Sequence, residues 1–240
     1  MSYSCLEELQ VDLDLHMLDK TNVLSKAGCK YDDGWLVVTG DGICHLFDRN
    51  GNLDDIKKVT RLEKFHIHKD ITKIVIPDHV STISAAFYDC YNLKDVVISN
   101  SVTEIKNYSF FYCKNLTSIT IPPLVSCIGN YAFYYCTSLK HITLNNNITY
   151  IGQQAFDSCK SLTSITIPAS VTTIGYYAFE NCINLQNVTI LNNAIIINYS
   201  AFVCCNNLKR LTFKNKTLEQ VKKMKGYPWG IKDESIIHVE

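Results

Sequence analysis

The residues with the most obvious chemical potential are cysteine and histidine. "NYAFYYCTSLKHITL", from Asn130 to Leu144, sets Cys136 behind two tyrosines and five residues before His141. A thiol with an imidazole in reach is the raw material of a nucleophile or a metal site. His66 and His68 alternate along one strand face and offer a second pair of metal donors. Neither set is completed. No third ligand follows the histidine pair at a metal-binding spacing. The sequence also contains no glycine-rich phosphate loop, no Gly-x-Ser-x-Gly and no His-Glu-x-x-His. The expectation is a protein without catalytic residues, metal or cofactor.

What surrounds Cys136 explains it better than chemistry does. Cys90, Cys113, Cys136, Cys159, Cys182 and Cys205 recur every 23 residues. Three residues before each stands a phenylalanine (Phe87, Phe110, Phe133, Phe156, Phe179, Phe202) and three after each a leucine (Leu93, Leu116, Leu139, Leu162, Leu185, Leu208). Six coils therefore share one register, with one residue missing between Ile83 and Phe87 in the first. Side chains at the same place in successive coils stack and do not converge on one ion, so the cysteines read as small buried hydrophobes. Phe133 and Cys136 are lattice positions, and His141 is an outward strand residue.

Each coil holds two periods. "LTSITIP" (116–122) alternates like a half-buried strand, with Ile119 and Ile121 inward and Ser118 and Thr120 outward. Val102 and Ile105 suggest a second short extended or turn segment. "YSFFYC" places Phe and Cys three apart, as in one helical or 3-10 turn. A single coil buries too little to fold alone, so the coils must stack into a solenoid.

The pattern "SVTxIGxxAFxxCxxLxxITIP", nearly complete in "SVTTIGYYAFENCINLQNVTI" (170–190), resembles the BspA-like leucine-rich repeat family over about residues 71–214. The resemblance implies a curved solenoid used for recognition and brings no catalytic residues. Similar proteins occur on bacterial and protist surfaces, and some are adhesins. The expected fold is an α/β leucine-rich-repeat solenoid. A parallel sheet forms one face, short helical or 3-10 turns form the other, and both ends are capped. The expected divisions are an N-terminal cap region over 1–77, six repeats over 78–214 and a C-terminal cap over 215–240.

The N-terminal region contains a hairpin pattern around Gly40-Asp41-Gly42 and two short strands in "RLEKFHIHKDITKIVIP" that resemble truncated coils. Residues 1–30 fit a helix or a strand equally. At the other end "KTLEQVKKMKG" reads as a short helix with Thr217 and Gln220 as a capping box. Trp229 is then placed to cover the last coil, and "SIIHV" forms a final strand.

Binding candidates follow from the outward positions. Thr120, Thr143, Thr166, Thr189 and Thr212 all stand between the two buried strand residues and should align into a row. That row serves β-propensity and Thr–Thr contacts, or it floors a partner surface. The variable neighbours Asp95, Ser118, His141, Ser164, Asn187 and Arg210 would then set specificity. Tyrosines gather on the opposite, turn-bearing side (Tyr108, Tyr112, Tyr131, Tyr134, Tyr135, Tyr176, Tyr177) and offer a competing face for protein or glycan.

Lys+Arg and Asp+Glu both total 23, a balance that argues against nucleic acid or an anionic membrane as the main partner. No stretch has the length of a membrane span. The first twenty residues carry acids throughout and lack a signal-peptide pattern. Together with eleven cysteines, an odd count, this predicts reduced thiols in a cytoplasm-like compartment, the alternative being a cell-surface protein exported without a cleavable signal. The leading functional expectation is a non-enzymatic protein–protein recognition module, the alternative a surface adhesin for host protein or glycan.

Overall fold

The computed structural model describes residues 72–76, 78 and 80–240, and the backbone of the strands Gly28–Tyr31, Gly34–Val38, Ile43–Asp48 and Arg61–Glu63. His66, His68 and the Gly40-Asp41-Gly42 turn lie outside these residues, as does all of 1–27.

The chain winds as a parallel-sheet solenoid, as the 23-residue lattice predicts. Each coil contributes one strand to each of two walls. Numbered by their ladder cysteines, coils 1 to 6 carry on the first wall the strands Asp95–Ile98, Ser118–Thr120, His141–Thr143, Ser164–Ile167, Asn187–Ile190 and Arg210–Phe213. The second wall is one continuous parallel sheet of seven short strands, from Arg61–Glu63 to Ile196–Ile197. The short segment expected around Ile105 is therefore a strand: Ile105, Ile128, Ile151 and Ile174 align in register across it.

Two N-terminal expectations resolve differently. Arg61–Glu63 pairs with Thr82–Ser84 on the second wall, and Lys73–Ile76 pairs with Asp95–Ile98 on the first. Arg61–Glu63 thus lies on the second wall and Lys73–Ile76 on the first; the remainder of the expected truncated coils, 64–71, lies outside the described residues. Before them, Gly34–Val38 and Ile43–Asp48 pair antiparallel across the expected hairpin, and Gly28–Tyr31 pairs antiparallel with the former.

The third side of each coil is a chain of tight turns without a helix. Its bonds explain why. Cys113 N–H closes on Phe110 O at 3.2 Å, the single three-residue turn read from the Phe–Cys spacing. Propagation into a helix is blocked because the fifth and first residues before every ladder cysteine are left-handed, for example Tyr108 (φ 60), Tyr112 (φ 62), Gln154 (φ 51) and Ser158 (φ 60). Side chains other than glycine pay about 1–2 kcal/mol to sit there. The conformation aims their N–H groups at the next coil: Tyr108 N–H reaches Asn130 O at 3.0 Å, and Tyr112 N–H reaches Tyr134 O at 2.8 Å. Inter-coil bonds replace the helical ones.

The lattice residues fill the interior. All six ladder phenylalanines are buried, and their rings stack in one column with centroids 5.2 to 5.4 Å apart. Glycine occupies the corner between second wall and turn in three coils for lack of room. A Cβ on Gly152 would lie 2.5 Å from Asn130 N and Gly129 C.

At the C-terminus the helix Leu218–Lys222 starts with Thr217 and Gln220 bonded reciprocally as a capping box. Trp229 is fully buried against Phe213. Its carbonyl accepts Phe202 N–H at 3.0 Å, the role Ala201 plays for Phe179 one coil earlier. The strand Ile237–Val239 then extends the first wall beside Leu211–Phe213.

Candidate functional site

The ladder thiols do not form a reactive centre. Each donates its S–H to the phenylalanine carbonyl of the preceding coil: Cys113 to Phe87, Cys136 to Phe110 and Cys159 to Phe133 at 3.2 Å, Cys182 to Phe156 at 3.1 Å, Cys205 to Phe179 at 3.0 Å. Burial pushes these thiols well above the ordinary range, Cys205 to about 12. A thiol so held is not a thiolate at neutral pH, hence neither nucleophile nor ligand. Among the described residues no three His, Cys, Asp or Glu side chains converge as a metal site. Cys204, by contrast, is exposed.

The first wall presents the strand-face candidates in two columns. Asp95, Ser118, His141, Ser164, Asn187 and Arg210 are all exposed. Ser118 pairs with His141, and Ser164, Asn187 and Arg210 pair in sequence. In the second column Thr120 pairs with Thr143, and Thr166 with Thr189. Thr120, Thr143 and Thr166 are exposed and Thr189 is half-buried. Thr212 is 4% exposed, beside the terminal strand that pairs with it at His238. The C-terminal closure thus removes Thr212 from the accessible row.

Sequence reading missed the start of this column. Val75 and Val97 hold the threonine position in the first two strands, pair in register, and are 39% and 51% exposed. Their place between the buried Ile74 and Ile76, and between Val96 and Ile98, was the available sign. The face is therefore apolar at one end and hydroxylated in the middle.

The turn side carries a second surface. Tyr108 stacks on Tyr131 at 5.0 Å, Tyr112 on Tyr135 at 4.8 Å, and Phe111 lies between Tyr88 and Tyr134 at 4.5 and 4.8 Å. Lys114 lies over the rings of Tyr91 and Tyr112, and Lys160 over that of Tyr135. The ring faces in these columns are spent on each other, and edges and hydroxyls remain for a partner. Tyr176 and Tyr177 project beyond them, 42% and 40% exposed.

A feature hidden in sequence continues the Tyr88–Phe111–Tyr134 column. In coils 4 and 5 the same position holds Asp157 and Glu180. Asp157 is 3% exposed, and its carboxylate accepts from Gln154 Nε2 at 2.9 Å and Ser158 Oγ at 2.8 Å. Burial, then the adjacent Asp157 charge and a hydrogen bond to it, raise the Glu180 carboxyl above its ordinary range. The only available clue was the position two residues before each ladder cysteine.

No helix among the described residues is long and apolar enough to cross a membrane.

Comparison with known proteins agrees with this architecture. The family model of the BspA type leucine rich repeat region matches six copies, over residues 60–179 and 149–225. Among solved structures the chain is similar to a leucine-rich repeat protein of T. pallidum, with a TM-score of 0.58 and 22% identity over 76% of this chain and 91% of that one. It is also similar to a leucine rich cell surface protein of Faecalibacterium prausnitzii, with a TM-score of 0.54 and 24% identity over 79% of this chain and 55% of that one. At these identities the likeness shows the fold alone. Comparison with curated proteins yields no match. With six family repeats matched across most of its length, the chain belongs to the BspA-type leucine-rich repeat family.

Proposed function

We propose that this protein is a non-enzymatic recognition module that presents its first wall to a protein partner. Leucine-rich repeat solenoids are typically interaction scaffolds, and the coarse role follows from the family. One observation carries the finer reading. The ladder positions hold Phe, Cys and Leu coil after coil, while the exposed column runs Asp95, Ser118, His141, Ser164, Asn187, Arg210, five residue types in six coils. A strand pitch of about 4.8 Å sets these side chains out at fixed spacing. A regular frame with varied exposed side chains is what discrimination among partners requires.

The test is affinity capture with the full chain, compared with His141→Ala/Asn187→Ala and with Tyr176→Ala/Tyr177→Ala. Loss of the captured protein only in the first double variant supports the strand face. Loss only in the second moves the site to the turn side. Substrate turnover by the purified chain, abolished by one surface substitution, overturns the non-enzymatic reading.

A second reading is a cell-surface adhesin. The observation that favours it is the similar F. prausnitzii protein, described as a cell surface protein. Protease shaving of intact cells tests it, with peptides of this chain read by mass spectrometry beside a cytoplasmic control. Released peptides without lysis support surface display, and full protection removes it. A glycan partner is the weaker variant. Carbohydrate recognition by aromatic residues uses ring faces, and in coils 1 to 3 those faces are stacked on each other.

A further inference from the structure

The first wall is not one sheet. Its ladder is interrupted twice: Asp95–Ile98 is not hydrogen-bonded to Ser118–Thr120, nor His141–Thr143 to Ser164–Ile167. Among the described residues both interruptions are bridged on the other sides of the solenoid. The second wall runs unbroken through seven strands, the phenylalanine column has no gap, and the turns bond coil to coil, as with Phe133 N–H to Ala155 O at 2.8 Å across the second interruption.

Both interruptions coincide with the residue type at one lattice position at the C-terminal end of the strands, Pro122, Asn145, Pro168, Leu191 and Lys214 in coils 2 to 6. In coils 5 and 6 that residue is Leu191 or Lys214, whose N–H donates to Ile167 O at 3.0 Å and to Ile190 O at 2.9 Å in the preceding coil. In coils 2 and 4 it is Pro122 and Pro168, 46 residues apart. Proline has no N–H. The carbonyls of Ile98 and Leu144 therefore lack the donor that this position supplies in coils 5 and 6; Asn145, its equivalent in coil 3, makes no such backbone bond either, although its strand pairs with that of coil 2. The opposite end of the strand opens with it. Lys140 N–H reaches Thr117 O at 2.9 Å and Gln186 N–H reaches Thr163 O at 2.8 Å, whereas Thr117 and Thr163 make no such bond to the coil before them. Each interruption thus falls on the preceding-coil side of a strand that is followed within two residues by proline.

The interruption between coils 3 and 4 is visible on the surface as a groove of about 390 Å³. His141, Thr143, Ser164 and Thr166 form its rim, with Ile142 and Leu144 below. Ile142 and Leu144 are 9% and 8% exposed, against 4% and 0% for Ile165 and Ile167 one coil on. The core edge is slightly more accessible there than one coil on.

We propose that Pro122 and Pro168 divide the first wall into plates that open and close at two seams, hinged on the continuous second wall. The seams lie between the candidate recognition residues Asp95 and Ser118 and between His141 and Ser164. Opening therefore changes the spacing across those two steps and leaves Ser118 to His141, and Ser164 to Asn187 to Arg210, fixed. The wall adapts its curvature in steps of whole plates. The hinge follows from the bonding pattern and stands whether or not this wall is the partner surface.

Amide hydrogen exchange on the full chain tests it. In the parent, Ser164 and Thr166 should show protection factors about tenfold or more below those of their equivalents Asn187 and Thr189, because local opening breaks fewer bonds. Pro168→Leu supplies the N–H that Leu191 supplies in coil 5, and protection at Ser164 and Thr166 should rise toward the coil 5 values. Pro122→Leu should do the same for Ser118 and Thr120 without changing coil 4. Equal protection of Thr166 and Thr189 in the parent overturns the proposal, and that comparison needs no variant. A folded Pro168→Leu protein with unchanged protection at Ser164 and Thr166 overturns it as well.

Discussion

Cys159 donates its thiol proton to the carbonyl of Phe133, 26 residues earlier and one coil away, at 3.2 Å. The same bond links every ladder cysteine from Cys113 onward to the phenylalanine of the coil before it. Cysteine in this lattice is thus more than a small apolar filler. It brings a weak donor to a buried carbonyl at little desolvation cost.

Thiol accessibility follows directly. In the native protein, maleimide at neutral pH should label Cys204 and leave Cys113, Cys136, Cys159 and Cys182 unmodified until denaturant is added. Peptide mapping by mass spectrometry reads each site. Native labelling of Cys159 at the rate of Cys204 would contradict its burial. Cys159→Ala should lower stability by roughly 1–2 kcal/mol, combining a lost hydrogen bond with a small void.

The ladder phenylalanines are among the largest fully buried side chains. Phe156→Ala removes a ring stacked on both Phe133 and Phe179 and should cost roughly 3–5 kcal/mol. Thr166→Ser, on the exposed wall, should change stability by less than about 0.5 kcal/mol. Denaturant midpoints measured side by side check the contrast, and equal midpoints would mean the register is wrong.

Gly152 tests coil spacing. Its missing Cβ lies 2.5 Å from the backbone of the previous coil, and backbone there cannot yield without separating the coils. Gly152→Ala should destabilise by about 1–3 kcal/mol, despite the usual gain when glycine is replaced. A rise in the melting temperature would show that the corner has slack.

Glu180 gives a pH signature. Its carboxyl is raised in the folded state by burial and by Asp157. A raised folded value means that the group's favourable contribution is complete below its unfolded value and is lost as pH rises through the folded one. Glu180→Gln, which mimics the protonated form, should therefore melt higher than the parent at neutral pH. The difference should close as pH falls below the ordinary glutamate value of 4.5. Thermal melts across that range measure it. A difference that grows on acidification would reverse the assignment.

Sequence alone determined the repeat, its register and the buried set. Three residue types recurring on a 23-residue lattice leave little freedom in how they stack, and the structure places Phe, Cys and Leu where the spacing requires. The capping box of Thr217 and Gln220 was equally legible, because both partners lie within one helical turn. The tertiary structure decided what depends on neighbouring coils. The left-handed turn residues that rule out a helix are tyrosines, glutamine and serines, and their conformation is fixed by bonds to a carbonyl one coil away. Thr212 leaves the exposed row because the C-terminal strand closes beside it. The acidic pair exists only because coils 4 and 5 stack Asp157 against Glu180. The seams illustrate the division most directly. Pro122 and Pro168 stand in plain view in the sequence, but their effect is the absence of a bond to the preceding coil, and only stacking shows which carbonyl loses its donor.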